Sequence, residues 1–319
     1  MGVCTLASRV TVVFAALLGL SLAFAPRDIA AQDTVVRVGY QKLGAFALLK
    51  ARGLLEERLK PLGYTVTWTE FSSGPQLLEA LGAGAMDFAH GGEAPPIFAQ
   101  AAGIPLIYIG HEPAAPKAEA ILVREASPIR TVADLKGKRI ALNRGSNVHY
   151  LLVRALERAG LKYSDVEVVY LSPPEGRAAF EAGAVDAWAI WEPYRAAAEQ
   201  ATRARTLVDG VGLVSNHEFF FAARPFAARH PRTVDVVLTA ARDVYADAAR
   251  DIPATARTFG AALGLPPAVV EIALTRMGVG VQPMSDAVVA EQQRIADTFT
   301  GLGLIPAAIN VSEAARRTP

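Results

Sequence analysis

From Val35 the chain alternates apolar and polar positions through Val38 to Tyr40, the period of a strand. The spacing then becomes helical over roughly Phe46 to Leu59 and returns to strand alternation over Thr65–Phe71 after Gly63. Ser72-Ser73-Gly74-Pro75 opens a second helix through Leu81, and Met86–Ala89 reads as the next strand. Gly91-Gly92-Glu93-Ala94-Pro95-Pro96 leads into a helix through Ala101, and Leu106–Ile109 is strand-like again. Strands separated by helices of this length predict βαβ units, an α/β fold with mainly parallel sheets flanked by helices.

The same order then recurs. Arg139–Arg144 echoes Arg37–Lys42, and Tyr150–Ala155 echoes Phe46–Ala51. Ala83-Gly84-Ala85-Met86-Asp87 matches Ala182-Gly183-Ala184-Val185-Asp186 at a spacing of 99 positions, which carries Glu93 onto Glu192. Three matches in one order predict two similar lobes. The last hundred or so residues are helical in pattern (Val234–Ala248, Ile252–Leu263, Pro267–Met277, Ser285–Leu302) and have too few strand-like runs for a third sheet. They are expected to return to the first lobe. The expected division is therefore lobe one at 32–118 plus 224–319 and lobe two at 119–223. Two extended crossings, Ala118–Arg124 and Glu218–Ala223, would form the hinge.

The N-terminus changes the setting of these lobes. Arg9 is the only charge before an apolar run from Val10 to Ala25, about the length of a signal-peptide core and short for a membrane span. Residues 1–31 are thus expected to be a signal peptide cleaved near Ala31, placing the protein outside the cytoplasm. The only cysteine is Cys4, so the processed chain is expected to contain no disulfide and no cysteine-based metal site. Beyond Ala31 the chain has 30 basic and 30 acidic side chains, a balance that makes nucleic acid and anionic membranes poor partners.

Candidate chemistry lies in the loops that follow the strands, where open α/β sheets bind their ligands. Asn143-Arg144-Gly145-Ser146-Asn147 combines a turn-forming glycine with two strong helix-capping types ahead of a helix. A helix start presents free N–H groups and a partial positive charge, a ready anion site. Ser72–Pro75 and Gly91–Pro96 have the same character, so three helix starts could surround one oxyanion with neutral donors. Trp191 is expected to wall the cleft and Trp188 to sit in the core, because positions 188 and 191 of one strand face opposite ways. Glu93 and Glu192 are expected at the lobe edges. His149 adjoins the anion loop, as a ligand contact or as a buried or helix-face histidine. The motifs of zinc peptidases, serine hydrolases, P-loop enzymes and dinucleotide-binding folds are absent from the sequence, so neither enzyme activity, a cofactor nor a metal is expected.

The runs Val38–Lys42, Trp68–Phe71 with Gly74–Glu79, Pro95–Gly103, Leu142–Leu152 and Val185–Trp191 closely resemble those of bacterial periplasmic aliphatic-sulfonate-binding proteins. That group also includes taurine- and nitrate-binding components, and the resemblance spans nearly all of the chain after residue 31. It implies a type II two-lobed periplasmic binding fold joined by a two-segment hinge, acting as a monomer. The protein would deliver a small organic sulfonate to an ABC permease and, through it, to its ATPase, for sulfur acquisition. It implies ligand contacts at Gln41, Ser73, Gly74, Gly92, Glu93, Ser146, Asn147 and Trp191. One departure is Gly91, where the family pattern has a threonine hydroxyl, and this bears on the preference among sulfonates. Taurine (with Glu93 or Glu192 for its ammonium), nitrate, an aromatic sulfonate and a sulfate ester remain alternatives. A desulfinating or thiamin-precursor enzyme on this scaffold would need cysteine chemistry that the chain after Ala31 lacks.

Overall fold

A computed structural model describes Met1, Gly2 and residues 34–316; the expected signal peptide and its cleavage point lie outside the described residues. Ten strands form two five-stranded sheets. They are β1 Val35–Tyr40, β2 Thr65–Glu70, β3 Phe88–Gly92, β4 Leu106–His111, β5 Glu119–Val123, β6 Arg139–Leu142, β7 Glu167–Tyr170, β8 Ala187–Trp191, β9 Arg205–Asp209 and β10 Glu218–Ala223. The sheet orders are β2-β1-β3-β10-β4 and β7-β6-β8-β5-β9. In each, three parallel strands are followed by one antiparallel strand, β10 or β5, that pairs on both sides.

The helices that face these sheets are α1 Ala45–Arg52, α2 Leu54–Leu59, α3 Gly74–Gly82 and α4 Pro95–Ala101, then α5 Asn147–Arg158, α6 Pro173–Glu181 and α7 Tyr194–Thr202. The C-terminal set is α8 Arg224–Arg229, α9 Pro231–Arg250, α10 Ile252–Leu263, α11 Pro267–Arg276 and α12 Asp286–Gly301. Each sheet buries both faces, which gives the continuous apolar strands the sequence shows. In the first sheet Val36, Val38 and Phe220 face one core with Val237 and Val244 of α9, while Phe219 and Phe221 face the other with Phe299 of α12. In the second, Ile140 and Leu142 pack with Leu151 and Leu152 of α5, and Trp188 packs with Phe180 of α6 on the opposite side.

The sequence repeat has a structural cause. The backbone N–H of Arg37 donates to Asp87 Oδ2 at 2.8 Å, and that of Arg139 to Asp186 Oδ2 at 2.9 Å. The arginine side chains reach back to the carbonyls of Gly84 and Ala184. An acid at the foot of the third strand thus clamps the start of the first strand in both sheets.

Two expectations need correction. Glu218–Ala223 is no crossing but strand β10, inserted between β3 and β4 of the first sheet. The run Phe219-Phe220-Phe221 is fully buried, as a central strand with two covered faces must be. Ala118–Arg124 is largely strand β5 of the second sheet. The chain therefore crosses just before these strands, at 112–118 and 210–217. The two crossings are tied together, Ala115 N–H to Ser215 O at 2.9 Å and Gly210 N–H to Pro116 O at 2.8 Å. The C-terminal helices do pack on the first sheet's elements, but α11 also touches α7 of the second.

Candidate functional site

The carboxyl ends of β1, β3, β6 and β8 meet between the sheets. The innermost crevice there, about 220 Å³, is lined by Gln41, Gly74, Gly92, Pro95, Ser146, Asn147, Trp191 and Glu218. Six of the eight residues singled out from the sequence share it. No lysine or arginine is among its lining residues. An adjoining crevice of about 350 Å³ adds Lys42, His90, Tyr194 and Met277.

Ser146 is the N-cap residue of α5 by backbone conformation, yet no side chain caps that helix. Its Oγ donates instead to Asn143 O at 2.6 Å. The start of α5 beside the crevice is thus left without a side-chain cap, the condition for holding an anion. Helix α3 starts in the same way at Ser73, without a side-chain cap. Gln41 is anchored by donation from Nε2 to His90 O at 3.3 Å.

The loop before α5 is braced from behind. His149 is fully buried, accepts at Nδ1 from Gly145 N–H at 3.2 Å and meets Tyr163 Oη with Nε2 at 2.7 Å. Burial, with the nearby Arg144 charge, pulls its imidazole down to about 4. Neutral at pH 7 and accepting at Nδ1, the ring carries its proton on Nε2, which donates to Tyr163. His149 thus positions the loop and does not line the crevice.

Asn147 links the two sheets. Its Nδ2 donates to Asn216 Oδ1 at 2.6 Å, and Asn216 Nδ2 donates to Ala115 O at 2.9 Å, so a site residue is wired to both crossings. The Asn147 amide lies over Gly92: a Cβ built there would stand 1.9 Å from it. Gly92 is therefore required by close approach across the cleft.

The structure separates the remaining expected residues. Trp191 lines the crevices and Trp188 is 1% exposed in the core. Ser73 is fully buried, its Oγ without a hydrogen-bond partner, and is not among the residues lining the crevice. Glu93 and Glu192 are not at the lobe edges. Glu93 is 1% exposed and accepts from His217 N–H at 3.1 Å, and burial pushes its carboxyl up to about 8. Glu192 is buried, caps α7 through Ala196 N–H at 3.1 Å and pairs with Arg276 of α11 at 2.8 Å. Arg276 also reaches Glu199 at 2.8 Å, so one guanidinium bridges the two lobes.

Two residues escaped the sequence reading. Glu218 lines every crevice of the cleft described so far, and burial, only partly offset by His90, pushes its carboxyl up to about 7. Asn216 holds the hinge in a left-handed conformation at φ 50°, which asparagine tolerates better than most residues. The available signal was the polar pair Asn216 and Glu218 just ahead of an all-apolar strand.

Two sheets of matching order, a tied double crossing and a polar crevice between strand ends define the two-lobed fold of a ligand-binding protein. Comparison with known proteins places it more narrowly. Residues 63–256 match the NMT1/THI5-like family, and the chain belongs to that family. A relative from Escherichia coli K12, described as an aliphatic sulfonates-binding protein, is 42% identical over 280 residues, 87% of either chain. The structure of the alkanesulfonate-binding protein of Xanthomonas axonopodis pv. citri, bound to MOPS, superposes with a TM-score of 0.85 at 44% identity. It covers 89% of this chain and 99% of that one. That of the periplasmic aliphatic sulphonate binding protein of Escherichia coli gives 0.81 at 41% identity, covering 90% and 93%.

Proposed function

We propose that this protein is the periplasmic solute-binding component of an ABC importer and captures aliphatic sulfonates between its two lobes. Lobe one comprises the first sheet with α1–α4 and α8–α12, lobe two the second sheet with α5–α7. The observation that carries the reading is the pair of uncapped helix starts, α3 and α5, opening on a crevice whose lining holds no lysine or arginine. A sulfonate is a weak base that stays ionised and spreads one charge over three oxygens. It can be held by several N–H and amide donors without a full counter-charge. Gln41, Gly74, Ser146 and Asn147 would supply donors, Gly92 the room, and Trp191 the surface for the carbon chain, with Ser73 and Glu93 supporting from outside the lining. The relatives of known structure and name support the same assignment. In this reading the protein is exported, processed near Ala31, and works as a monomer that hands its ligand to a permease driven by an ATPase.

A thermal-shift panel tests the ligand class. Protein stripped of ligand by unfolding and refolding is mixed with alkanesulfonates of several lengths, taurine, an aromatic sulfonate, sulfate and nitrate. A ligand at 100 times its dissociation constant adds about 2.7 kcal/mol to stability, or roughly 4–5 °C for a protein of this size. Stabilisation by organic sulfonates is expected; stabilisation by nitrate or sulfate alone would keep the fold and overturn the ligand.

A further inference from the structure

Resting on the sulfonate reading, we infer that an aromatic seam beside the anion loop holds the two lobes shut, and that His149 is its positioning residue, joining lobe closure to the shape of the loop. Phe98 and Phe299 come from α4 and α12 of lobe one, His149 and Tyr150 from α5 of lobe two. The His149 ring stacks on Phe98 at 6.2 Å between centroids and 27° between planes, and lies 5.4 Å from Phe299. Tyr150 meets Phe299 edge-on at 5.9 Å and is buried with the first lobe's core. Phe98 and Phe299 meet each other at 5.0 Å. None of these four side chains lines the crevices described above, so the contact serves closure rather than the ligand.

The seam reaches the anion loop through Gly145. That residue stands against the Phe98 ring, where a Cβ would lie 3.1 Å from Cγ. Its N–H donates to His149 Nδ1 at 3.2 Å. The turn before Ser146 is therefore held by a ring of lobe one and by the imidazole together. His149 Nε2 is taken by Tyr163, whose Oη meets Tyr170 Oη at 3.1 Å. Both nitrogens are thus spent within lobe two, and the face of the ring is offered to lobe one. Opening the lobes withdraws Phe98 and Phe299 and uncovers the imidazole.

Burial makes the seam sensitive to acid. The groups that face His149 are Tyr163 and Tyr170 of lobe two, Arg144 of its own loop, and the uncharged Phe98 and Phe299 of lobe one. None of these is a carboxylate that would pair with an imidazolium. Burial, then Arg144, holds the covered ring at about 4, whereas an uncovered one titrates near its ordinary 6.5. The proton therefore binds the open form better. His149 supports closure fully above the ordinary value and loses that support as pH falls toward the lower one. Protonation at Nδ1 also removes the acceptor of the Gly145 N–H. Glu218 acts with the opposite sign, because its carboxyl, raised to about 7 by burial, keeps its proton while the cleft is closed. The part played by His149 is therefore read as a difference between wild type and variant.

The test is calorimetric titration of butane-1-sulfonate, which stays ionised throughout, into stripped wild type, His149→Gln and Phe98→Ala at pH 7 and pH 5. The quantity read is the dissociation constant at pH 5 divided by that at pH 7. It is expected to be at least fivefold larger in wild type than in His149→Gln, whose amide keeps an acceptor and a donor but takes up no proton. Phe98→Ala is expected to bind at least fivefold weaker at pH 7, although residue 98 lies outside the crevice lining. Its ratio is expected to be at least threefold below that of wild type, because its imidazole is no longer fully covered. Should His149→Gln not fold, Phe98→Ala carries the test alone. Any of these differences falling short overturns the seam and leaves the sulfonate reading standing. No saturable binding by wild type at pH 7 overturns the sulfonate reading and this inference with it.

Discussion

Ser146, Asn147 and Gly92 meet where α5 faces the end of β3, and each enters through a different physical property. Ser146 turns its hydroxyl back to Asn143 and leaves the helix start uncapped. Asn147 ties that start to Asn216, and Gly92 leaves space for the amide above it. Replacing Ser146 and Asn147 together by alanine is expected to weaken sulfonate binding at least tenfold by calorimetry; unchanged titration curves would remove the loop from the site. Gly92→Ala should leave secondary structure intact but hold the lobes apart, because the new Cβ would overlap Asn147. Small-angle scattering would show a larger radius of gyration with ligand than the wild type shows, and affinity would fall by at least tenfold. At this scale the sequence displayed helix-start chemistry well, since capping types and glycines are local signals. Trp188 and Trp191 could be divided by strand alternation alone. Glu218 and Asn216 could not, because their roles come from which strand neighbours which, and pairing between β3 and β10 spans more than a hundred residues.

The elements show where local pattern stops being sufficient. The repeat at 99 positions was legible because one device, an acid clamping the first strand, was used in both sheets. Glu218–Ala223 was misplaced because an extended apolar run fits equally a crossing segment and a central strand; only the covering of both its faces, by α9 on one side and α12 on the other, decides. Helix α11 packs on the first lobe as expected, against Leu43 and Ala256, and also carries the bridge between lobes. Arg276 joins Glu192 and Glu199 across the cleft, and the Glu192 side chain is 1% exposed. Arg276→Met leaves Glu192 buried without its counter-charge, a costly arrangement. Ligand affinity is expected to fall about tenfold, mostly through faster dissociation. Stopped-flow measurements of both rates check this, and an unchanged dissociation rate would show that the bridge does not hold the closed form.

For the whole molecule, the cleft concentrates buried acids behind a neutral anion site, and that couples stability to pH. Burial raises Glu93 to about 8 and Glu218 to about 7, from an ordinary value of 4.5. Between those values the folded state binds more protons than the unfolded chain, so stability declines as pH rises. The loss begins above the unfolded value and is complete once pH passes the folded ones. Without ligand, the melting temperature should therefore drop between pH 5 and pH 8.5, and Glu93→Gln should flatten the slope in its upper half. The central claim, that these two lobes form a site for one organic sulfonate, is tested most directly by titrating butane-1-sulfonate into the stripped protein and following the heat. One site per chain is expected, with a dissociation constant in the micromolar range or below, about 8 kcal/mol or more of binding free energy, and at least a hundredfold preference over nitrate. Absence of saturable heat for butane-1-sulfonate, or equal binding of nitrate, would contradict the account.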